Sequence, residues 1–475
     1  MLTFRRTTLI AVFCFSILTG IGFARKAQFL PAEAVLILWP LLFILKKKNV
    51  AALILVILLG LGMGLWRGSI YMQKLAELKN LSGQKVSVQV QATSDGIYST
   101  ANQLEFTAGK AKLLPTGRRL AGSFKISGFG LKAVYRGDEV TASGKLYPMR
   151  GSNQARIAYA QLNLIKPGVN WFADFSRRFA AGLQNVLPEP VASFAMGLLA
   201  GQRVNIPAVV TAELTAVGLV HIVAVSGYNL TILVRAVERL RLRSKYQKLL
   251  ASLVLIAGFL AVTGFSASIV RAAVVSVLGL WAWYFGRTFR PIVLLAFAAA
   301  LTGLINPFYV WGDLSWYLSF LAFFGILIIA PVIQARLFKR KPKIITSVLL
   351  ETFSAEIMTL PLIMLSFSQL SLVALLANLI VVPLVPVAML ASAVAGFAGM
   401  IIPQIGGWLA WPASILLTYM LDIVHLLAKI PSALVHASLS TSYMLVFYAL
   451  VLFVLAVAHH KTRVKQAANT LKVLE

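Results

Sequence analysis

Long apolar runs recur along most of this chain, and they constrain its fold more than any other feature of the sequence. A helix needs roughly 20 apolar residues to cross the hydrocarbon core of a bilayer. Of the 475 residues, 59% are hydrophobic and only 12% are charged, so such runs follow one another almost from end to end, among them residues 29–45 and 291–305. The sequence therefore predicts a polytopic α-helical membrane protein with about 12 transmembrane helices, some of them broken or re-entrant. The region Asn378–Gln404, which Pro and Gly interrupt, is the candidate for a broken helix.

Clusters of Lys and Arg between the runs predict the orientation, because cytoplasmic loops of membrane proteins are enriched in these residues. If the runs alternate in direction, one side of the membrane receives the clusters at 5–6, 46–48, 235–245, 287–290, 336–343 and 461–465. We therefore expect a multi-pass protein of the cytoplasmic (inner) membrane with both termini in the cytoplasm. Residues 1–67 are expected to form N-terminal transmembrane helices, and residues 461–475 a cytoplasmic tail.

Residues 68–167 have a different character, because the long apolar runs disappear there. Short segments alternate between polar and apolar residues, as in Lys85–Thr93, and Gly, Asn, Ser and Pro separate them. A period of two predicts β-strands, and about five of them are enough for a small closed barrel. The predicted orientation puts this domain outside the membrane.

The charge of the chain points to an anionic partner. There are 44 Lys and Arg against 15 Asp and Glu, a net charge of +29. Cytoplasmic loops and anionic lipid explain part of this excess. Residues 68–167 carry 14 basic and five acidic residues, a net of +9, and sorting of cytoplasmic loops does not account for charge on an external domain. Nucleic acid is the expected partner, and a solvated basic surface near anionic lipid is the alternative.

Two sets of residues in this domain are candidates for binding a nucleic-acid strand. The basic candidates are Lys85, Lys110, Lys112, Arg118, Arg119, Lys125, Lys132 and Arg136. The aromatic candidates for stacking on bases, most of which are expected in the core where they alternate, are Tyr98, Phe106, Phe124, Phe129, Tyr135 and Tyr147.

An amphipathic segment follows the external domain. Trp171 and Phe175 recur at helical spacing on the side opposite Arg178. The pattern predicts a helix over residues 168–188 that lies in the membrane interface. Residues 189–460 then form the main transmembrane domain.

The stretch Leu214–Val234 is apolar enough to span a bilayer, yet it carries His221, Ser226, Gly227 and Asn229 near its middle. Polar groups at membrane depth cost free energy unless they face protein or water, and they are functional candidates by default. We therefore expect them to face an internal path. The alternative is structural, with Ser226 and Asn229 bonding to a neighbouring helix and His221 as a neutral buried imidazole.

Arg271, Asp313 and Glu356 are further ionisable groups in or near apolar runs. Arg271 lies two residues inside its run, so its side chain could instead reach the lipid head groups. Glu356 lies at least a turn from either end of its predicted helix. We therefore expect it to pair with Arg271 or to meet water.

Enzymatic chemistry has weak support in the sequence. Ser226 beside Gly227 suggests an intramembrane serine hydrolase, but His221 is five residues away, roughly 140° around a helix, so His425 would have to act as the base. The five histidines form no HxH or HxxxH pair and there is one cysteine, so we predict no metal, no cofactor and no enzyme. No phosphate-binding GxxxxGK[ST] loop is present, so energy for transport is expected from another protein.

Four segments follow one another in the order HIVAVSGYNLTIL (221–233), SASIVRAAVV (266–275), NPFYVWGDLSWYLSFLAFFGI (306–326) and ANLIVVPLVPVAML (377–390). Together they resemble the ComEC competence-protein family, the inner-membrane channel for DNA uptake in natural transformation. The external segment, with GDEVTASGKLYP (137–148), is similar to the OB-fold domain of that family. The resemblance implies a channel for single-stranded DNA whose path gathers His221, Ser226, Gly227, Asn229, Arg271, Asp313, Glu356 and Asn378 near the bundle axis.

Two departures from the family pattern change what the resemblance implies. Asn229 stands where many members have a histidine, which weakens any role that needs an imidazole there. Many members also carry a C-terminal metallo-β-lactamase-like domain, whereas this chain ends about fifteen residues after His460. The expected partners are therefore single-stranded DNA, membrane lipid, a DNA receptor, an ATP-driven motor and, if strand degradation occurs, a separate nuclease. A small-solute transporter with an accessory external domain remains the alternative from a different functional class.

Overall fold

The computed structural model shows a mostly helical chain with one separate, larger β-sheet. The residues it describes are 4–26, 50–98, 103–149, 153–168, 171–202, 206–223, 229–230, 233–234, 237, 244–263, 267–286, 290–338, 342 and 344–472. The chain divides into two compact units. Unit 1 comprises Met1–Asn205, Val223–Tyr317 and Ala388–Ser414, and unit 2 comprises Ile206–Ile222, Leu318–Val387 and Ile415–Glu475.

Helices account for most of the described residues. In chain order they are α1 (Arg6–Ala24), α2 (Val50–Asn80), α3 (Trp171–Val186), α4 (Val191–Ala200), α5 (Ala208–Ala216), α6 (Lys245–Thr263), α7 (Ala267–Tyr284), α8 (Pro291–Ile305), α9 (Phe308–Gly312), α10 (Leu314–Phe324), α11 (Ala330–Leu337), α12 (Ile344–Phe367), α13 (Ala374–Val381), α14 (Val385–Ile401), α15 (Pro403–Ala428) and α16 (Thr441–Lys472). A π-helical turn, Gly325–Ile329, joins α10 to α11, and a 3-10 turn, Val382–Leu384, joins α13 to α14.

Within the described residues, six helical segments are long and apolar enough to cross a membrane. They are Arg6–Ala24, Val50–Asn80, Leu314–Leu337, Thr346–Phe367, Ala374–Ile401 and Pro403–Ala428. Four shorter apolar helices are Val191–Ala200, Ile269–Tyr284, Pro291–Ile305 and Thr441–Val457. The prediction of a protein with several membrane-spanning helices is therefore confirmed. The predicted apolar run at 29–45 lies outside the described residues.

In unit 1, α1 and α2 pack closely through glycines. A Cβ at Gly20 would overlap the carbonyl oxygen of Leu61, and Gly60, Gly64 and Gly68 recur every four residues on the facing side of α2. Small residues at this spacing let two helix backbones approach each other, which is a main source of helix association in lipid. The apolar pattern of the sequence does not predict this interface.

The C-terminal end of α8 is tied to the same pair of helices. The Arg67 side chain donates hydrogen bonds from Nε to the Leu304 carbonyl at 2.8 Å and from Nη2 to the Ile305 carbonyl at 3.0 Å. The Trp311 indole donates to the Ile21 carbonyl at 2.7 Å. Since the last carbonyls of a helix have no intrahelical donor, these side chains satisfy groups that would otherwise be unpaired.

The larger sheet occupies residues 85–166 of unit 1. Its strands are β1 (Lys85–Ala92), β2 (Ile97–Tyr98), β3 (Leu104–Leu114), β4 (Arg118–Arg119), β5 (Phe124–Phe129), β6 (Glu139–Pro148) and β7 (Ala155–Lys166). β1 pairs with both β6 and β3, so the pairings run from β1 through β6, β7, β5 and β3 and return to β1. All of these pairings are antiparallel except that of β5 with β7. The five predicted strands correspond to the five long strands observed.

Alternation along the strands builds the core of this sheet. Val86, Val88 and Val90 of β1 point inward and are at most 5% exposed, next to the buried rings of Phe106 and Phe124. Each strand therefore keeps one face for the apolar core and gives the other to solvent. Polar and basic side chains are left on the outer face.

The predicted amphipathic helix is present as α3, which packs against α14 within unit 1. A Cβ at Gly182 would lie 2.7 Å from the Gly396 carbonyl oxygen, so the two backbones are nearly in contact. The rings of Phe175 and Phe179 lie 6.1 Å and 5.4 Å from the ring of Phe397. The apolar side of α3 is therefore committed to other helices at this crossing.

Unit 2 contains the broken helix that the sequence predicted after Asn378. The α13 helix stops at Val381, the 3-10 turn follows, and α14 begins at Val385. Pro383 causes this break because it has no N–H for the helical ladder. A short two-stranded sheet pairs β8 (Gln369–Ser371) with β9 (Leu434–His436) in the same unit.

The apolar stretch Leu214–Val234 does not form one continuous helix. The α5 helix ends at Ala216, and turns follow through Val223. Gly218 has φ +74°, a left-handed conformation that ends a helix and that glycine adopts without strain. A Cβ at this position would lie 2.7 Å from the Ala374 side chain, so close packing also requires glycine here.

Candidate functional site

Four exposed cations gather on the hairpin of β3 and β4. Lys112 is the direct cross-strand partner of Arg119, and Arg118 is the partner of Leu113. Lys110 has φ +51° and lies where the register of β3 on β1 shifts, so a bulge turns its side chain into solvent. We call Lys110, Lys112, Arg118 and Arg119 the basic hairpin. It concentrates four positive charges on two neighbouring strands.

A second pair of like charges lies on another part of the sheet. Lys85 of β1 and Lys145 of β6 are direct cross-strand partners, and both are exposed. Like charges opposite each other destabilise a sheet. An anion bound between them would remove that repulsion.

Lys125 of β5 forms an ion pair with a carboxylate on β3. Its Nζ lies 2.8 Å from Glu105, and Arg156 reaches the same carboxylate at 3.4 Å. Arg156 also donates to the hydroxyl of Ser127 at 3.1 Å. One carboxylate thus partly neutralises two cations, which reduces the positive charge that Lys125 offers to a ligand.

Lys132 and Arg136 lie in the connection between β5 and β6, which is fixed by hydrogen bonds. The Tyr98 hydroxyl donates to the Lys132 carbonyl at 2.9 Å, and the Arg136 backbone N–H donates to Asp95 at 2.8 Å. The Tyr135 ring packs under the guanidinium of Arg177 from α3, with 4.4 Å from Cζ to the ring centroid. The connection therefore holds its cations on a well-defined backbone.

The aromatic candidates divide between the core and the surface. Phe106 and Phe124 are buried, as expected for alternating positions. The rings left exposed are Tyr98, Phe129, Tyr135, Tyr147 and one that the sequence analysis missed, Tyr159. Tyr159 is 77% exposed, and its strand neighbour Gln161 is the cross-strand partner of Phe129. Proteins that bind single-stranded nucleic acids use two such features, positive charge and exposed aromatic rings.

The polar residues predicted in the helices of unit 1 are buried. Asn229 donates from Nδ2 to the Leu198 carbonyl at 2.8 Å, in the last turn of α4, so the helix-to-helix bond weighed in the sequence analysis is present. Asp313 accepts the Trp316 backbone N–H at 2.9 Å and thereby caps α10. Arg271 on α7 is 6% exposed, so its guanidinium does not reach the surface.

In unit 2, Glu356 of α12 and Asn378 of α13 meet, and the amide nitrogen of Asn378 donates to Oε1 of Glu356. The sequence favoured Arg271 or water as the partner of Glu356. Within the described part of the chain, the partner found is this amide, and no ion pair with Glu356 is formed. His221 is exposed and its Nδ1 lies 3.0 Å from the Gly218 carbonyl.

Two of the predicted path residues cannot be placed. Ser226 and Gly227 lie outside the described residues. Convergence of the eight path residues near one axis remains a prediction, since they are divided between unit 1 and unit 2. In the part of the chain that the structure describes, no three His, Cys, Asp or Glu side chains form a group that could hold a metal ion.

Comparison with known protein families gives the identity of the helical part. The family model described as "Competence protein" matches residues 198–462, more than half of the chain. The chain belongs to the competence protein family. The matched region of this competence protein includes all eight residues predicted to line the path, and the family assignment made from sequence motifs is confirmed.

One curated relative supports the same assignment at lower similarity. The competence protein is 23% identical over 215 residues to "ComE operon protein 3" of Bacillus subtilis (strain 168), and the match covers 45% of this chain but 27% of that protein. No solved structure matches the chain significantly. The sheet at 85–166 lies outside the matched family region, so its role depends on its own geometry.

Proposed function

We propose that this competence protein is a channel in the cytoplasmic membrane that passes single-stranded DNA inward during natural transformation. The observation that carries the proposal is the basic hairpin, four exposed cations on a sheet with exposed aromatic rings, in a chain of the competence family. The sheet would hold the strand at the outer surface, and the helices would provide the path. Both termini would lie in the cytoplasm.

The pairing pattern of the sheet supports an OB-like barrel. Five long strands close a ring of pairings, with β1 joined to β3 on one side and β6 on the other. OB folds are five-stranded barrels that bind oligonucleotides on the face of their second and third strands. In this chain those are β3 and β5, and β3 carries half of the basic hairpin.

The chemistry of this surface suits a strand of any sequence. Lysine and arginine contact phosphates, which are the same for every nucleotide, and aromatic rings stack on every base. A channel for transformation must accept DNA without regard to sequence. We propose that the protein itself performs no reaction on the DNA and needs no cofactor, and that a receptor, a motor and any nuclease are separate proteins.

The helical part has the features required of such a path. Polar groups are buried within apolar helices in both units, at Asn229 and Arg271 in unit 1 and at Asn378 in unit 2. Polar residues in membrane segments are retained where they face protein or water. With the shorter apolar helices and the residues outside the described ranges, we propose about 12 spans in total.

Neutralising the basic hairpin is expected to weaken binding of single-stranded DNA to the purified full-length protein. The variant Lys110→Gln, Lys112→Gln, Arg118→Gln, Arg119→Gln should lower affinity for a labelled oligonucleotide by more than about tenfold at low salt. It should also reduce the slope of log affinity against log salt by about 3, because each lost phosphate contact removes roughly 0.7 from that slope. Fluorescence anisotropy over a salt series measures both quantities.

A matched control variant loses the same number of positive charges, four, on the side of the membrane predicted to be cytoplasmic. Lys245→Gln, Lys248→Gln, Arg290→Gln, Arg336→Gln leaves the basic hairpin intact and should bind the oligonucleotide like the unaltered protein. Equal loss of affinity in both variants would mean that net charge alone attracts the DNA. Unchanged affinity in the hairpin variant would remove the sheet from the binding role.

A further inference from the structure

A carboxylate in the membrane part of unit 2 has an amide as its partner. Glu356 lies within α12, well inside a candidate membrane span, and Asn378 lies in α13. The amide nitrogen of Asn378 donates to Oε1 of Glu356. Asn378 is 3% exposed, so the contact is closed to solvent on the amide side.

The other polar atom of the Asn378 amide is free to accept a hydrogen bond. Its Oδ1 is buried and has no hydrogen-bond partner within the described residues. A buried amide oxygen without a partner costs about 1–3 kcal/mol, so such groups usually serve a purpose. This oxygen lies on the same side chain that already contacts the carboxylate.

An amide can serve both protonation states of a carboxyl group. It donates from nitrogen to an ionised carboxylate, which only accepts, and it accepts through oxygen from a protonated carboxyl, which can donate. Rotation of the Asn378 amide about its last bond exchanges the two atoms. Glu356 would therefore keep one hydrogen bond to Asn378 whether or not it carries a proton.

The backbone next to each of these two residues is also short of donors. Pro361 stands four residues after Ile357, and Pro383 stands four residues after Leu379. Proline has no N–H, so neither carbonyl can accept the regular helical hydrogen bond. One such carbonyl follows Glu356 directly and the other follows Asn378. Carbonyl oxygens freed at broken membrane helices commonly form the surroundings of a proton or a small cation.

The other ionisable groups near Glu356 do not neutralise its negative charge. Among the side chains that the structure describes on α12 and on the elements packed against it, these groups are Glu351 on α12, Arg336 on α11, and Tyr443 and Tyr448 on α16. The Tyr448 hydroxyl donates to the Met358 carbonyl at 2.9 Å, so it faces the backbone beside Glu356. No cation in this set forms an ion pair with Glu356. An unpaired carboxylate inside a membrane costs several kcal/mol, and binding a proton removes that charge.

We propose that Glu356 is a reversible proton-binding site of the membrane domain and that Asn378 is its positioning residue. A hydronium ion transfers one proton to the Glu356 carboxylate, so one O–H bond of hydronium breaks, one O–H bond on the carboxyl forms, and a water molecule is left. The Asn378 amide rotates, and its Oδ1 accepts a hydrogen bond from the new O–H; release to water reverses these steps. The site adjoins the helix break at Val382–Leu384 and does not depend on whether the transported substrate is DNA.

Infrared difference spectroscopy of the purified full-length protein in lipid nanodiscs tests this site. A carboxyl C=O stretching band should appear at acidic pH and vanish as the pH rises. The band should be lost in Glu356→Gln and retained in Glu351→Gln, which changes an exposed carboxyl on the same helix. Asn378→Leu should shift both the frequency of the band and the pH at which it vanishes, since the hydrogen bond to Asn378 is lost.

Two outcomes would overturn the proposal. A titrating band that persists unchanged in Glu356→Gln would assign the proton to another group. A band that Asn378→Leu leaves unmoved would remove the positioning role of Asn378. If Glu356→Gln fails to fold, Glu356→Asp decides the matter, because a band whose frequency and pH of disappearance are both unchanged in that variant would exclude proton binding by Glu356.

Discussion

Gly20→Leu is expected to abolish the accumulation of folded protein, whereas Gly22→Leu on the same helix should leave it unchanged. A Cβ at position 20 would overlap the Leu61 carbonyl oxygen and would lie 3.0 Å from the Leu65 nitrogen. Both atoms belong to the α2 backbone, which cannot rotate aside as a side chain does. A Cβ at position 22 meets no atom within 4 Å.

The size of the effect follows from how the two helices associate. Between helices in lipid there is no hydrophobic driving force, so close backbone packing has to supply the attraction. Forcing extra methylene groups into a packed interface costs about 1–3 kcal/mol where side chains can adjust, and more where backbone has to move. A loss of that size is a large fraction of the stability of a typical protein.

Fluorescence-detected size-exclusion chromatography of a tagged full-length chain measures this difference directly. Gly20→Leu should give little or no monodisperse peak, and Gly22→Leu should give a peak like that of the unaltered protein. Similar peaks for both variants would show that α1 and α2 do not pack through Gly20.

Arg271→Ala is expected to reduce DNA uptake by at least about tenfold per molecule of folded protein. Arg271 is 6% exposed on α7, and burying a guanidinium among apolar helices is costly enough that it usually marks a functional position. A factor of ten corresponds to about 1.4 kcal/mol, less than many charge-assisted hydrogen bonds contribute. Contact with DNA phosphates during passage would therefore account for such a loss.

Three further variants distinguish a role of Arg271 in DNA uptake from an effect of the substitution on helix packing. Arg271→Lys keeps the positive charge but loses the planar guanidinium, so uptake should be partly retained. Arg290→Ala removes an exposed arginine at the start of α8 and should leave uptake near the unaltered level. Ser226→Ala should have only a mild effect. If Arg271→Ala and Arg290→Ala take up DNA equally well, Arg271 has no phosphate-guiding role.

Helices and strands could be predicted from the sequence where the spacing of apolar residues determines them. The apolar run predicted at 291–305 is the helix Pro291–Ile305, and Pro291 occupies the first helical turn, where its missing N–H costs nothing. The strands could be predicted because polar and apolar residues alternate along them. In β6, for example, Val140, Ala142 and Leu146 are buried. The break near Pro383 could be predicted because proline interrupts a helix chemically.

Long-range pairings and local irregularities could not be predicted in this way. Strict alternation along β7 puts Tyr159 on the same side as the buried Ile157, but the register with β6 shifts and turns Tyr159 outward. The alternating pattern of a single sequence does not predict such a bulge. The contact of Glu356 with Asn378 depends on how α12 and α13 pack, so charge complementarity alone suggested a different partner, Arg271.

The most direct measurement of the central claim is uptake of end-labelled DNA by naturally transformable cells that lack their own competence-family protein. With this full-length chain expressed in the membrane, labelled DNA should accumulate in the cytoplasm as single strands, and with Arg271→Ala it should accumulate at least about tenfold less. Equal cytoplasmic label in cells with and without the chain, at verified membrane expression, would contradict its role as the channel for single-stranded DNA.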